Sequence, residues 1–256
     1  MRSGNPVLND KTFSQPSTLG GYDSASGERM TLTGTVNKCF IMFAILLLTA
    51  SYTWNGFYEA MANPNSDAMA SVMPLMLIGI IGGLVVALVT VFKATWSPYT
   101  APLYAALEGL ALGGISAMFE MQFPGIVIQA VGLTLLTLFS LLAAYRSGLI
   151  KATENFKLGI VAATGGIFLL YMVNFVMGFF GASIGFIHDS GPIGIGFSLV
   201  VVTIAALNLV LDFDFIEHGA EVGAPKYMEW YGAFGLTVTL VWLYLEILRL
   251  LSKLRR

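Results

Sequence analysis

From Ala70 to Phe92 the sequence reads ASVMPLMLIGIIGGLVVALVTVF, without a single charged side chain. An α-helix needs about 20 mostly apolar residues to cross the hydrocarbon core of a bilayer. About 18 or more consecutive apolar residues indicate a membrane span rather than a surface helix of a soluble protein. The segment therefore predicts a transmembrane helix.

Six further stretches of similar length and polarity lie on either side of it. Proline-containing turns such as Ser97-Pro98, Phe123-Pro124 and Gly191-Pro192 separate several of them. We predict an all-α polytopic membrane protein, a bundle of seven transmembrane helices, over residues 38–256, preceded by a flexible polar N-terminal tail over residues 1–37. The predicted helices are Lys38–Tyr58, Ala70–Phe92, Tyr99–Phe119, Gly125–Tyr145, Phe156–Phe180, Ile193–Phe213 and Trp230–Leu251.

The composition supports a membrane environment. Hydrophobic residues make up 56% of the chain and charged residues only 11%, whereas soluble domains contain about 25% charged residues. A soluble protein could not hide so much apolar surface from water, so the lipid bilayer is the expected surrounding. The net charge is only -2, and without a basic cluster nucleic acid is not an expected partner.

The loop charges predict the orientation in the membrane. Lysine and arginine residues collect in the tail and in alternate loops, whereas residues 59–69, the loop around Glu120 and residues 181–191 carry acids but no Lys or Arg. By the positive-inside rule, the N-terminus is expected in the cytosol and the C-terminus outside. The basic C-terminal residues, from Arg249 to Arg256, oppose this arrangement. Either the last segment is re-entrant, or the earlier helices determine the topology.

Four carboxylic acids fall within or at the ends of the predicted helices, where an ionised group costs at least about 2.5–3.5 kcal/mol. Such groups can stay protonated, or neighbours can share a proton or a cation, and carboxylate oxygens are natural ligands of Ca²⁺. They are Glu108, Asp212, Asp214 and Glu246.

Simpler interpretations remain open for some of these acids. Glu246 and Arg249, three residues apart on a helix, could form an ordinary ion pair. Asp212 and Asp214 could mark a water-exposed helix end. Motifs of intramembrane proteases and glycine-rich phosphate loops are absent from the sequence, so we expect neither an enzyme nor a bound cofactor.

Two motifs near the end of the chain resemble those of a known family. Val210–Ile216 reads VLDFDFI and Leu243–Leu251 reads LYLEILRLL. In this order, at the end of seven helices, they resemble the Bax inhibitor family, the transmembrane Bax-inhibitor-motif proteins, including its YccA-like bacterial branch. The resemblance implies a central last helix, a calcium leak gated by a pair of acids that sense pH, and a bacterial inner-membrane location.

The resemblance also implies roles for individual residues. The paired pH sensor and tentative calcium ligands map to Asp212 and Glu246, with Asp214, Glu229 or Glu108 as alternative partners of Asp212. A basic latch from the second helix maps to Lys93. The expected function is a pH-sensitive cation (calcium) leak channel, with calcium as the permeant ion. One alternative is a non-conducting regulator that binds a membrane protein such as a protease, and another is a proton-coupled transporter.

Overall fold

A computed structural model describes residues 29–62, 68–181, 184–185 and 189–256. A short 3₁₀ turn, Ala94–Trp96, connects the second helix to the third. The described residues contain no β-strand, and their extended pairing is limited to one bridge between Arg29 and Pro225. The helices are α1 (Leu32–Ala62), α2 (Ala68–Phe92), α3 (Ser97–Gln122), α4 (Ile126–Arg146), α5 (Glu154–Phe179), α6 (Pro192–Glu221) and α7 (Met228–Leu254).

All seven helices are long and apolar enough to cross a membrane, which confirms the predicted all-α fold with seven transmembrane helices. Most helix ends lie within about four residues of the prediction, but two differ by more: α1 begins at Leu32 instead of Lys38, and α6 ends at Glu221 instead of Phe213. Hydropathy marks only the part of a helix that lies in lipid, whereas backbone hydrogen bonding continues beyond it. Most of the predicted flexible tail, residues 1–28, lies outside the described residues, and residues 32–37 are helical.

The chain forms two compact units. The first, here called the α1–α3 unit, contains these three helices together with Phe215–Thr237. The second, here called the α4–α5 unit, comprises Phe123–Asp214 and Val238–Arg256. Helices α6 and α7 each contribute to both units. The hydrophobic segment of α7 is the most enclosed, with 56% of it buried compared with 11% for α5.

Glycines allow close helix packing in the α1–α3 unit. A Cβ atom at Gly109 or Gly113 of α3 would overlap the carbonyl oxygens of Leu46 and Ala50 of α1. Such small residues let two helix backbones approach closely within a membrane. Gly165 of α5 differs, because its Cβ position has no described neighbour within 4 Å.

The C-terminal end of α7 is bound to the α4–α5 unit by its basic side chains. Arg255 Nη1 donates to the Pro124 carbonyl at 2.9 Å, and Nη2 donates to Gln129 Oε1 at 2.8 Å. Lys253 Nζ lies 3.0 Å from the Gly194 carbonyl oxygen. Helix α7 is continuous and ends beside the starts of α4 and α6, so the re-entrant interpretation is wrong. These contacts explain how a basic C-terminus can fit a seven-crossing path.

Candidate functional site

Asp212 lies within α6 and is buried, with 2% of its surface exposed. The hydroxyl of Thr239 on α7 hydrogen-bonds its carboxyl group. The other carboxyl oxygen, Oδ2, has no hydrogen-bond partner among the described residues. The interpretation of Asp212 as a water-exposed helix end is therefore wrong.

Asp214 has a different environment, although it is only two residues away. Its Oδ2 lies 2.6 Å from Lys157 Nζ of α5, and its side chain is 29% exposed. Side chains two residues apart on an α-helix point in roughly opposite directions, about 200° apart. The structure thus separates the two acids: Asp214 forms an ion pair, and Asp212 points into the protein without one.

Glu246 is buried on α7 in a three-residue cluster. Its Oε1 accepts hydrogen bonds from the Tyr171 hydroxyl at 3.0 Å and from Arg249 Nη1 at 2.7 Å. Arg249 Nη1 also donates to the Tyr171 hydroxyl oxygen at 2.7 Å. The ion pair between Glu246 and Arg249 is confirmed, and Tyr171 of α5 is its third member. Glu246 Oε2 has no hydrogen-bond partner in the described part of the chain.

Asp212 and Glu246, the two acids of the implied sensor, lie in one unit but at different depths. Thr239, which bonds Asp212, precedes Glu246 by seven residues, or about 10 Å along the α7 axis on the same face. No hydrogen bond joins the two acids within the described ranges. No group of three or more His, Cys, Asp or Glu side chains that could hold a metal ion occurs there either.

Glu108 belongs to the α1–α3 unit. The hydroxyl of Tyr104, one turn earlier on α3, hydrogen-bonds its carboxyl group. The glutamate faces α2, where a Cβ atom at Gly83 would lie 3.1 Å from Glu108 Oε2. Its partner is thus a neighbour on its own helix.

Glu229 is completely buried at the start of α7 and carries several contacts. Its Oε1 accepts hydrogen bonds from the backbone N–H and the hydroxyl of Thr31, at 3.0 and 2.9 Å. Lys38 Nζ lies 2.7 Å from Oε2, and Lys226 Nζ lies 3.3 Å from Oε1. Two lysines therefore neutralise this acid within the α1–α3 unit.

Lys93, the implied latch, lies at the junction of α2 and α3. Its Nζ is 4.4 Å from the centre of the Trp96 ring, a cation–π contact. Within the described ranges it forms no ion pair with a carboxylate. In the α4–α5 unit, the cation that contacts Glu246 is Arg249.

Three polar residues near these acids were not predicted from the sequence: Tyr171, Thr239 and Asn208. Thr239 and Glu246 are spaced by seven residues, and Asn208 and Asp212 by four, so helical periodicity places each pair on one face. That spacing was the available signal. Tyr171 gave none, because a tyrosine in an apolar helix is common.

The comparisons with known proteins agree with the motifs and with the fold. The family model described as Bax inhibitor 1 like matches residues 5–256, nearly the whole chain. Searches of curated proteins and of solved structures found no match. With seven helices that can span a membrane, the protein is an integral multi-pass membrane protein. It belongs to the Bax inhibitor 1 like family.

Proposed function

We propose that this protein is a proton-sensitive leak pathway for cations, in particular calcium, and that Asp212 is the group that responds to protons. One observation carries the proposal. Asp212 is a buried carboxylic acid within a membrane-spanning helix, and one of its oxygens has no hydrogen-bond partner in the described residues. No basic side chain contacts it there.

The charge distribution of the α4–α5 unit makes Asp212 different from its neighbours. Asp214 pairs with Lys157, and Glu246 pairs with Arg249. An ionised carboxylate without a counter-ion is costly in a membrane interior. Asp212 is therefore expected to hold either a proton or a cation.

Competition between the proton and the cation gives the pH response its sign. Protonated Asp212 is neutral and attracts no cation, so acidification should reduce the flux. The ionised carboxylate is an oxygen ligand of the kind that Ca²⁺ prefers, and the Thr239 hydroxyl and water can supply further oxygens. Protonation thus changes the charge at Asp212, and this local change shifts the equilibrium between the open and closed states of the proposed leak.

Calcium flux into proteoliposomes, measured over a series of pH values, tests the proposal. The parental protein should conduct calcium, with lower flux at acidic pH. Asp212→Asn resembles the protonated form in shape and charge, so its flux should be low and nearly independent of pH. Glu221→Gln removes an exposed acid from the end of the same helix and should keep the parental pH profile.

Each other outcome contradicts part of the proposal. A parental pH profile in Asp212→Asn would remove Asp212 from the mechanism. A purified protein that passes no cation would favour the non-conducting regulator. Saturable transport of a solute with stoichiometric proton movement would favour the proton-coupled transporter.

A further inference from the structure

Asn208 lies one turn before Asp212 on α6, and its amide group is held in one orientation. Its Nδ2 atom lies 2.8 Å from the Ile204 carbonyl oxygen and 2.8 Å from Thr164 Oγ1 of α5. The Ile204 carbonyl can only accept a hydrogen bond, so the amide nitrogen must face it. Both N–H donors are thereby used. No donor among the described residues reaches the amide oxygen, Oδ1.

Asn208 and Asp212 lie on the same face of α6. Residues four apart on a helix are stacked one above the other, about 6 Å apart along the axis. Both side chains are buried, with 9% and 2% of their surfaces exposed. The face therefore presents a neutral amide oxygen, which takes no part in the two hydrogen bonds of the Asn208 side chain, and a carboxylate oxygen, Asp212 Oδ2, which accepts no hydrogen bond from a described residue.

This arrangement suits a cation and not an anion, because the available atoms are oxygens with lone pairs and the N–H donors point elsewhere. The basic side chains on the spanning parts of α5 and α7 in this unit are engaged with other groups. Lys157 contacts Asp214, Arg249 contacts Glu246, and Lys253 contacts the Gly194 carbonyl.

We infer that Asn208 and Asp212 together form a cation-binding station on α6, with the Asn208 Oδ1 and Asp212 Oδ2 atoms as its protein ligands. The identity of the ion as calcium rests on the proposed function. Calcium combines charged carboxylate oxygens with neutral carbonyl oxygens and completes its shell with water. Thr164 acts as a positioning residue, because its hydroxyl holds the Asn208 amide with the oxygen free.

Calcium-dependent thermal stabilisation of the purified full-length protein in detergent, at one fixed pH, tests the station without relying on transport. Calcium chloride should raise the melting temperature of the parental protein. Asn208→Leu should weaken the apparent calcium affinity about tenfold, by loss of one ligand. Asn208→Asp should strengthen it, because affinity rises with the charge of the ligands. Thr203→Leu, at an exposed position of α6, should retain the parental affinity.

Equal calcium affinities in the parental protein, Asn208→Leu and Asn208→Asp would overturn the inference. Melting without calcium reports folding, and if Asn208→Leu does not fold, the isosteric Asn208→Asp decides. Calcium flux in proteoliposomes separates this inference from the proposed function. A protein that binds calcium through Asn208 but leaks none contradicts the leak alone. A protein that leaks, but whose calcium affinity is unchanged by both Asn208 substitutions, contradicts the station alone.

Discussion

Asp212 and Asp214 show how strongly the environment of a single residue decides its chemistry in this protein. The two acids share a helix and are separated by one phenylalanine, yet Lys157 neutralises only Asp214. Asp212 instead has a hydroxyl neighbour and an oxygen without a partner. A proton or a cation that binds Asp212 therefore does not have to displace a lysine, as it would at Asp214.

Glu246 is expected to stabilise the fold and not to sense pH. Glu246→Gln leaves Arg249 without its carboxylate and should lower the free energy of unfolding by about 2 kcal/mol, the scale of a hydrogen bond to a charged group. The proposed calcium flux should keep its proposed dependence on pH in this variant. Thermal melting in detergent and proteoliposome flux measure the two effects.

Tyr171→Phe provides the matched comparison, because it removes one hydroxyl from the same cluster. The two substitutions should be non-additive in the double variant, since both remove contacts of one network. Loss of the pH response in Glu246→Gln, with unchanged stability, would instead support the paired sensor of Asp212 and Glu246 that the resemblance implies.

Part of this site could be predicted from the sequence. Asp212, Glu246 and Glu108 stand out because a carboxylic acid inside an apolar helix needs a physical reason. The partners of these acids could not be predicted, because they depend on the relative register of helices that are distant in the chain. Thr239 meets Asp212 only because α6 and α7 pack with one particular register.

At the scale of the helix, the glycines of two successive helices, α3 and α4, have different surroundings. In α3, Gly109 and Gly113 lie four residues apart and face the α1 backbone. In α4, the Cβ position of Gly132 has no described neighbour within 4 Å. Sequence alone does not distinguish these cases, because both glycines lie in apolar helices.

Gly113→Ala should therefore destabilise the protein. The added methyl group overlaps the Ala50 carbonyl region, and overpacking of this kind typically costs about 1–3 kcal/mol. Gly132→Ala adds the same group to an open position and should leave stability unchanged or raise it by up to about 1 kcal/mol, the gain in helix propensity. Melting temperatures of both variants in detergent check the difference. Equal changes in the two variants would contradict the packing account.

Helix lengths were the weakest part of the sequence prediction at this scale. The apolar runs located all seven helices, but α6 continues for eight residues beyond the predicted end at Phe213. The added residues, from Asp214 to Glu221, include three acids and a histidine, so hydropathy falls while the helix persists. Polarity reports where a helix leaves lipid, and hydrogen bonding decides where it ends.

For the molecule as a whole, the path of the chain explains how a basic C-terminus fits seven crossings. Arg249, Lys253 and Arg255 contact groups within the α4–α5 unit. The end of α7 lies beside the turn between α3 and α4. The C-terminus should therefore share its side of the membrane with that turn.

Cysteine labelling can test this topology with little background, because Cys39 is the only cysteine and is buried. Arg256→Cys should react with a membrane-impermeant reagent added outside the cell. Ser147→Cys, at an exposed position after α4, should react only when the reagent reaches the cytosolic face. Both side chains are exposed, so both positions are comparably accessible to the reagent. Protection of Arg256→Cys from the external reagent would contradict the outward C-terminus.

The burial of Glu229 also sets an order of events during synthesis. Thr31 and Glu229 are separated by 198 residues, so a ribosome adding about 5–20 residues per second completes one about 10–40 s after the other. During that interval the start of α1 and the ammonium group of Lys38 lack their acidic partner. The first helix of the protein can thus form its contacts with Glu229 only after the start of the last helix has been made, and a chain that terminates before Met228 never forms them.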